Sequence, residues 1–177
     1  ESVLAAMARP TVGHLDPSFI TMMDEVKTLL QYVFQTKNEL TFAVSAPGSA
    51  GMECCFANLV EPGDKVIVCQ NGVFGGRMKE NVERCGGVAV MVQDDWGQAV
   101  DPQKLEEALI QNPDAVLVAF VHAETSTGAQ SDATTSVELA HQHGCLAIVD
   151  AVTPLSDTPL KVDDWQLVPI SSGYQKC

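Results

Sequence analysis

Apolar side chains recur at helical spacing from Asp16 to Phe34, so a helix there would present one apolar face. Asp16 and Pro17 stand at its start, where an N-cap acid and a first-turn proline are typical. The pattern therefore predicts a first helix over this segment.

Apolar runs of strand length alternate with helical patterns along the rest of the chain. Gly, Pro, Ser and Asp residues separate them, as in "APGSAG" and "EPGD". Predicted strands lie at 40–44, 65–69, 88–92, 115–120 and 146–149. Predicted helices lie at 50–59, at 76–85, after Asp101-Pro102, and at 134–143, the last ending at Gly144.

This order of elements predicts a mostly parallel sheet, because parallel neighbours need crossover connections that place helices on both faces. The expected fold class is α/β with three layers, in a single domain of 177 residues. Ligands of such sheets bind at the carboxyl ends of the strands. Functional residues are therefore expected directly after the strands.

The charge balance excludes some classes of partner. Ten Lys and Arg against 23 Asp and Glu give a net charge of −13, which repels nucleic-acid phosphates and anionic membranes. No apolar run reaches the roughly 18 residues of a membrane-spanning helix, and "ESVLAAMARP" does not read as a secretory signal. The chain is therefore expected to be soluble, and its compartment stays open.

The six cysteines include the adjacent pair Cys54-Cys55 and form no CxxC motif. This usage favours buried, reduced thiols over a disulfide scaffold or a zinc site. No metal site is predicted, because His122 has no second ligand at a characteristic spacing.

Three segments that follow predicted strands carry candidate chemistry. Ser45–Gly51, "SAPGSAG", opens a helix whose first amides would cradle a phosphate, or else forms a plain tight turn. His122–Gly128, "HAETSTG", offers hydrogen-bonding side chains to a ligand, or else forms a solvated loop. Phe74 in "QNGVFGGR" would stack on a flat ring, or else belong to the core.

Two charged residues add to these segments. Asp150 ends the apolar run in "CLAIVDAV", where a buried carboxylate would need a cationic partner such as a protonated ring nitrogen. The alternative is an acid that caps the next segment or lies exposed at the edge of the sheet. Lys176 in "SSGYQKC" would form an imine with a carbonyl compound inside a pocket, or else be a solvated surface lysine.

Taken together and in this order, five segments resemble the fold-type I pyridoxal-phosphate enzymes. Among these enzymes they are most similar to the class V alanine–glyoxylate and serine–glyoxylate (serine–pyruvate) aminotransferases. The segments are "MDEVKTLLQYVFQT", "GSAGMECCFANLVEPGD", "HAETSTG", "IVDAVT" and "SGYQK". The resemblance implies that residues 1–177 are a partial, three-layer large domain, with both ends cut and the small C-terminal domain absent.

The resemblance also implies roles for residues at matching positions. Lys176 would hold the aldehyde of pyridoxal 5'-phosphate as a Schiff base. Asp150 would pair with the pyridine nitrogen and so keep the ring able to accept electrons. Phe74 would stack on one face of the ring and Val152 would pack on the other. The remaining implied cofactor contacts are Gly48, Ser49, Ala50, Thr125 and Gln175.

The implied activity is transfer of the amino group of alanine or serine to glyoxylate by a homodimer, with amino acid and 2-oxo acid substrates. The family's arginine for the substrate carboxylate has no counterpart here, so the 177 residues are expected not to transaminate alone. Two alternatives keep the fold. One is a non-catalytic, truncated or remodelled domain. The other is a lyase or cysteine desulfurase. Gln175 argues against it, because those relatives tend to carry a histidine before the lysine.

The segment after Thr153 departs from the family pattern. Pro169 falls in the strand that leads to Lys176, and proline removes an N–H from the hydrogen-bond ladder. This strand is therefore predicted either to be an edge strand or to be displaced. Tyr174 stands where the family has a small residue, and it would either crowd the cofactor or add a hydroxyl donor.

Overall fold

A computed structural model describes residues 1–155, 157–158, 160–167 and 169–173. Its helices are α1 (Ser2–Met7), α2 (Pro17–Phe34), α3 (Gly48–Leu59), α4 (Val73–Arg84), α5 (Pro102–Gln111) and α6 (Ala133–Gln142). Its strands are β1 (Lys65–Gln70), β2 (Val88–Gln93), β3 (Ala115–Val121), β4 (Ala123–Glu124), β5 (Ala129–Gln130), β6 (Leu146–Asp150) and β7 (Ile170–Ser171).

Aspartate caps begin three of these helices, as the sequence pattern indicated for two of them. Asp16 Oδ1 accepts a hydrogen bond from Ser18 N at 2.8 Å at the start of α2. Asp101 and Asp132 accept in the same way from the first turns of α5 and α6. Each cap satisfies an amide that has no partner within its own helix. The predicted helix over Asp16–Phe34 is confirmed.

The described strands form one five-stranded sheet in the order β2-β1-β3-β6-β7, and all its pairings are parallel. The short strands β4 and β5 form a separate antiparallel hairpin directly after β3. The carboxyl ends of the parallel strands therefore lie along one edge of the sheet. The predicted parallel α/β sheet is confirmed.

Two hydrophobic clusters cover the two faces of this sheet. Val66 and Val68 of β1 pack with side chains of α3 and α4, while Ile67 and Cys69 pack with side chains of α5 and α6. Successive residues of a strand face opposite sides, so β1, in which residues 66–69 are buried, contributes to both clusters. The arrangement is a helix–sheet–helix sandwich of three layers.

Two predictions from the sequence pattern are wrong. Residues 40–44 form no strand, because no other described strand pairs with them, and Leu40 and Phe42 remain 80% and 57% exposed. The helix predicted from Gly76 begins instead at Val73. Its added first turn depends on contacts from the hairpin, which a local pattern does not contain. The short helix α1 was not predicted at all.

Pro169 precedes β7, which is the outermost of the described strands beside β6. Its carbonyl oxygen accepts a hydrogen bond from Val149 N at 3.4 Å. Proline is tolerated here because an outermost strand leaves one row of its backbone groups outside the ladder. Of the two alternatives for this segment, the edge position is the one that the described strands show.

The five cysteines in the described residues are all free. Cys69 and Cys145 are buried, and burial raises the pKa of the Cys69 thiol to about 12. Among the described helices, none combines the length and the apolar character needed to cross a membrane.

Candidate functional site

Residues predicted from separate segments meet at the carboxyl edge of the sheet. Arg77 of α4 donates from Nη1 to Ser49 Oγ at the start of α3, at 3.0 Å. The backbone N–H of Phe74 donates to Glu124 Oε2 on the hairpin, at 3.1 Å. The starts of α3 and α4 and the hairpin after β3 are therefore linked by direct hydrogen bonds.

Asp150 is the last residue of β6 and is only 3% exposed. Its Oδ1 accepts a hydrogen bond from Val152 N at 2.8 Å. Burial is the main reason that the pKa of Asp150 rises to about 6, and the charge of Glu124 adds to the rise while the Val152 amide opposes it. No ion pair among the described residues involves this carboxylate. A cationic partner would thus be a ligand or a residue outside them.

Ser171 pairs with Asp150 across β6 and β7, so the two side chains lie on the same face of the sheet. Its Cβ is 3.8 Å from the position that a Cβ on Gly51 would occupy, so the side chain faces α3. Ser171 is 5% exposed, and its hydroxyl has no hydrogen-bond partner in the described part of the chain. Buried hydroxyls are normally paired, so this one indicates an additional polar group.

Gly48, Ser49 and Ala50 form the first turn of α3, which begins two residues before the predicted start. The N-cap residue Pro47 contributes no side-chain hydrogen bond, and its carbonyl oxygen accepts from Ala50 N at 2.8 Å. The first amides of a helix point outward at the positive end of its dipole, which favours an anion. The turn predicted to bind a phosphate is therefore a helix start.

Phe74 lies in the first turn of α4, and its half-buried ring packs against the cluster between the sheet and α3. The Arg77 guanidinium carbon is 4.9 Å from the ring centroid, in cation–π geometry. The Phe74 ring is thus partly packed in the core and partly accessible, and stacking on a ligand stays a prediction.

Thr125 and Val152 are both half-buried, and each contacts the end of β6 or the segment that follows it. The hydroxyl of Thr125 is hydrogen-bonded to that of Thr153, in the segment after β6. Val152 contributes the backbone amide that holds the Asp150 carboxylate. These contacts fix the hairpin and the segment after β6 next to the buried acid.

Glu124 has a structural role that the sequence did not reveal. It is 1% exposed; its Oε2 accepts from Phe74 N, and its Oε1 accepts from the amide and the hydroxyl of Ser126. The Ser126 hydroxyl in turn accepts from Val73 N at 3.0 Å. Gly72 admits this carboxylate, because a Cβ on Gly72 would lie 2.4 Å from Glu124 Cγ. Glu124 and Ser126 therefore cap α4 from the hairpin.

Glu124→Gln is expected to lower the free energy of unfolding by about 1 to 2 kcal/mol, because one amide NH₂ must then face a backbone N–H or the Ser126 donors. Urea denaturation measures the loss, and hydrogen exchange at Phe74 N–H should accelerate. Glu138→Gln, the same change at an exposed position on α6, is the control. Equal stability of the two variants would contradict the capping role.

His122 belongs to the other face of the sheet. Its Nδ1 lies 2.9 Å from Ser131 O, and its ring meets Trp165 edge-on at 5.9 Å between centroids. Burial lowers the pKa of His122, which favours the neutral ring. In the described residues, no group of three or more His, Cys, Asp and Glu side chains is suited to a metal ion. His122 is therefore a packing residue.

Three residues singled out from the sequence, Tyr174, Gln175 and Lys176, lie outside the described residues. The described part of the site offers a buried carboxylate, a buried unpaired hydroxyl, a helix start and a half-buried aromatic ring. Together these groups suit a flat, cationic ring that also carries an anionic group.

The chain is similar to known proteins over almost its whole length. Residues 2–177 match a family profile described as aminotransferase class V. The chain is 38% identical over 174 residues to the alanine–glyoxylate aminotransferase of Rattus norvegicus, covering 98% of this chain and 42% of that protein. The relative is therefore more than twice as long as the matched segment.

Two crystal structures share the fold. The alanine–glyoxylate aminotransferase from Nostoc sp. is 43% identical with a TM-score of 0.92, covering 97% of this chain and 45% of that chain. The ureidoglycine–glyoxylate aminotransferase of Bacillus subtilis is 35% identical with a TM-score of 0.94, covering 99% and 45%. The sheet is thus that of the fold-type I pyridoxal-phosphate transferases, and the chain spans less than half the length of these relatives.

Proposed function

Because this chain belongs to the class V aminotransferase family, we propose that it binds pyridoxal 5'-phosphate and serves in amino transfer from alanine or serine to glyoxylate. One observation carries the proposal: the buried Asp150 carboxylate, with its pKa raised to about 6, lies beside the unpaired Ser171 hydroxyl on the face that carries α3. A buried acid of this kind is stabilised by a cationic partner, which a protonated pyridine nitrogen provides.

Each described residue proposed to bind the cofactor contacts a different part of it. Asp150 keeps a proton on the ring nitrogen, Phe74 and Val152 pack against the two ring faces, and Thr125 contributes a hydroxyl. The first turn of α3, Gly48–Ala50, binds the phosphate through its amides. When bound, the cofactor supplies an electron sink for the α-carbon of the amino acid.

Two further cofactor-binding roles are proposed for residues outside the described part of the chain. Lys176 is proposed as the amine that would hold the cofactor through its aldehyde group and would carry the proton of the α-carbon. Gln175 is proposed as a phosphate contact. Both proposals rest on the resemblance of "SGYQK" to the family motif.

The amino acceptor is inferred from the names of the relatives. Glyoxylate occurs in the names of both the alanine–glyoxylate and the ureidoglycine–glyoxylate enzymes. The amino donor differs between them, so alanine and serine are proposed from the sequence resemblance alone. Comparing glycine formation from glyoxylate with each donor distinguishes them in a protein that contains this chain.

We also infer that residues 1–177 are part of the large domain and that two copies associate. Apolar side chains at the N-terminal end are largely exposed and would be covered in a homodimer. They are Val3, Leu4, Met7, Val12, Leu15, Ile20, Met22 and Met23.

Titration with pyridoxal 5'-phosphate, followed by borohydride reduction and mass spectrometry, tests the cofactor proposal. One cofactor per chain is expected, fixed to Lys176, in a particle of twice the mass of one chain by light scattering. The chain by itself is expected to form no glycine from glyoxylate. Absence of an adduct in well-folded protein would instead indicate a non-catalytic domain of the same fold.

A further inference from the structure

Arg77 joins two residues that are proposed to contact the cofactor. Its Nη1 donates to Ser49 Oγ at 3.0 Å, and its guanidinium carbon lies 4.9 Å from the centroid of the Phe74 ring. Ser49 belongs to the first turn of α3, and Phe74 to the first turn of α4. The guanidinium therefore lies between the two helix starts.

The charge of Arg77 is not balanced by an acid in the described residues. Its neighbours on α4 are paired, Lys79 with Glu83 at 3.5 Å and Arg84 with Glu80 at 3.7 Å. A guanidinium carries five N–H donors. Among the described residues Arg77 donates to Ser49, which leaves further donors for a ligand. In a chain with a net charge of −13, an arginine free of acids is suited to an anionic ligand.

Ser171 is independent evidence for a ligand at this place. Its buried hydroxyl lacks a hydrogen-bond partner within the described chain, and its Cβ lies 3.8 Å from the β-position of Gly51 in α3. The start of α3 thus faces an exposed guanidinium from α4 and a buried hydroxyl from β7. Both groups are able to donate hydrogen bonds to a polar ligand.

We propose that Arg77 is a further cofactor-binding residue, whose guanidinium binds the phosphate group at the start of α3 while it packs on the Phe74 ring. This inference rests on the proposed function. A phosphate monoester carries about two negative charges at neutral pH, and arginine binds it through parallel N–H donors. The helix amides alone supply only partial charges.

Comparing pyridoxal 5'-phosphate with pyridoxal, which lacks the phosphate, isolates this contact. In the 177-residue chain, Arg77→Met is expected to raise the Kd for pyridoxal 5'-phosphate about tenfold, because a charge-assisted hydrogen bond is lost. The Kd for pyridoxal should stay within about twofold, since the methionine stem preserves packing on Phe74. The effect should shrink with added salt, which screens exposed charges.

Two further variants keep the test decisive. Arg77→Lys retains the charge and should cost only about threefold in Kd, because the planar fork is lost. Arg84→Met removes the same charge at the end of α4 and should leave both Kd values unchanged. An equal loss for the two ligands, or no loss for either, would overturn the phosphate contact. Failure of the unmodified chain to bind pyridoxal 5'-phosphate would overturn the proposed function itself, and this inference with it.

Discussion

Asp150→Asn should make the cofactor-free chain more stable at pH 7.5, by up to about 3 kcal/mol, while it weakens cofactor binding. The folded-state pKa of Asp150 is raised from 3.8 to about 6, so the folded chain holds this proton more tightly than the unfolded chain does. The contribution to stability is complete below pH 3.8 and is lost as the pH rises through about 6. Asparagine cannot ionise and avoids that loss, yet its oxygen can still accept from Val152 N.

Urea denaturation of both proteins between pH 3.5 and 7.5 measures this difference, which should be near zero at the acidic end and reach its maximum above about pH 6. Asp24→Asn, at an exposed position on α2, is the matched control. The Kd for pyridoxal 5'-phosphate should rise about tenfold or more in Asp150→Asn, since the neutral amide cannot pair with a pyridinium. A variant destabilised at pH 7.5 would show that Asp150 already has a cationic partner.

Gly75→Ala should lower the free energy of unfolding by about 3 kcal/mol and displace α4 from the sheet. A Cβ at Gly75 would lie 2.8 Å from both Cys69 O and Gln70 Cα, which are backbone atoms at the end of β1. Backbone in a paired strand cannot move aside as a side chain can, so the helix itself must shift. Phe74, the preceding residue, would move with it, and cofactor binding should weaken.

The neighbouring glycine provides a matched control. A Cβ at Gly76 would meet only Gln70 Nε2, at 3.1 Å, and that flexible amide can rotate away. Gly76→Ala is therefore expected to be neutral or to stabilise the chain by up to about 1 kcal/mol, through the helix propensity of alanine. Thermal and urea denaturation of both variants distinguish the outcomes. Similar values for both would show that α4 does not pack as closely on β1 as the structure indicates.

The elements that were predicted correctly are those whose signals lie in residues close together in the sequence. The helix from Asp16 to Phe34 has its own cap and its own periodicity, and the buried strands show as short apolar runs. Asp150 was recognised because an acid at the end of such a run is conspicuous. These signals need no knowledge of distant segments.

The features that were missed depend on residues far apart in the chain. The cap that Glu124 provides for α4 joins residues 50 positions apart, and the bond from Arg77 to Ser49 spans 28. The segment 40–44 is a short apolar run of strand length, but no described strand pairs with it. The unpaired state of the Ser171 hydroxyl becomes visible only when every neighbouring group is in place.

The capping of α4 by the hairpin is also expected to affect the order in which parts of the chain fold. The part of α4 from Gly76 onward has a helical pattern of its own, whereas Val73 and Phe74 obtain their amide partners from Ser126 and Glu124. Closing so long a loop costs chain entropy, which local contacts do not repay. We therefore expect Phe74 to reach its final position only after β3 has paired with β1 and the hairpin has reached α4, so that the start of α4 is completed after the sheet.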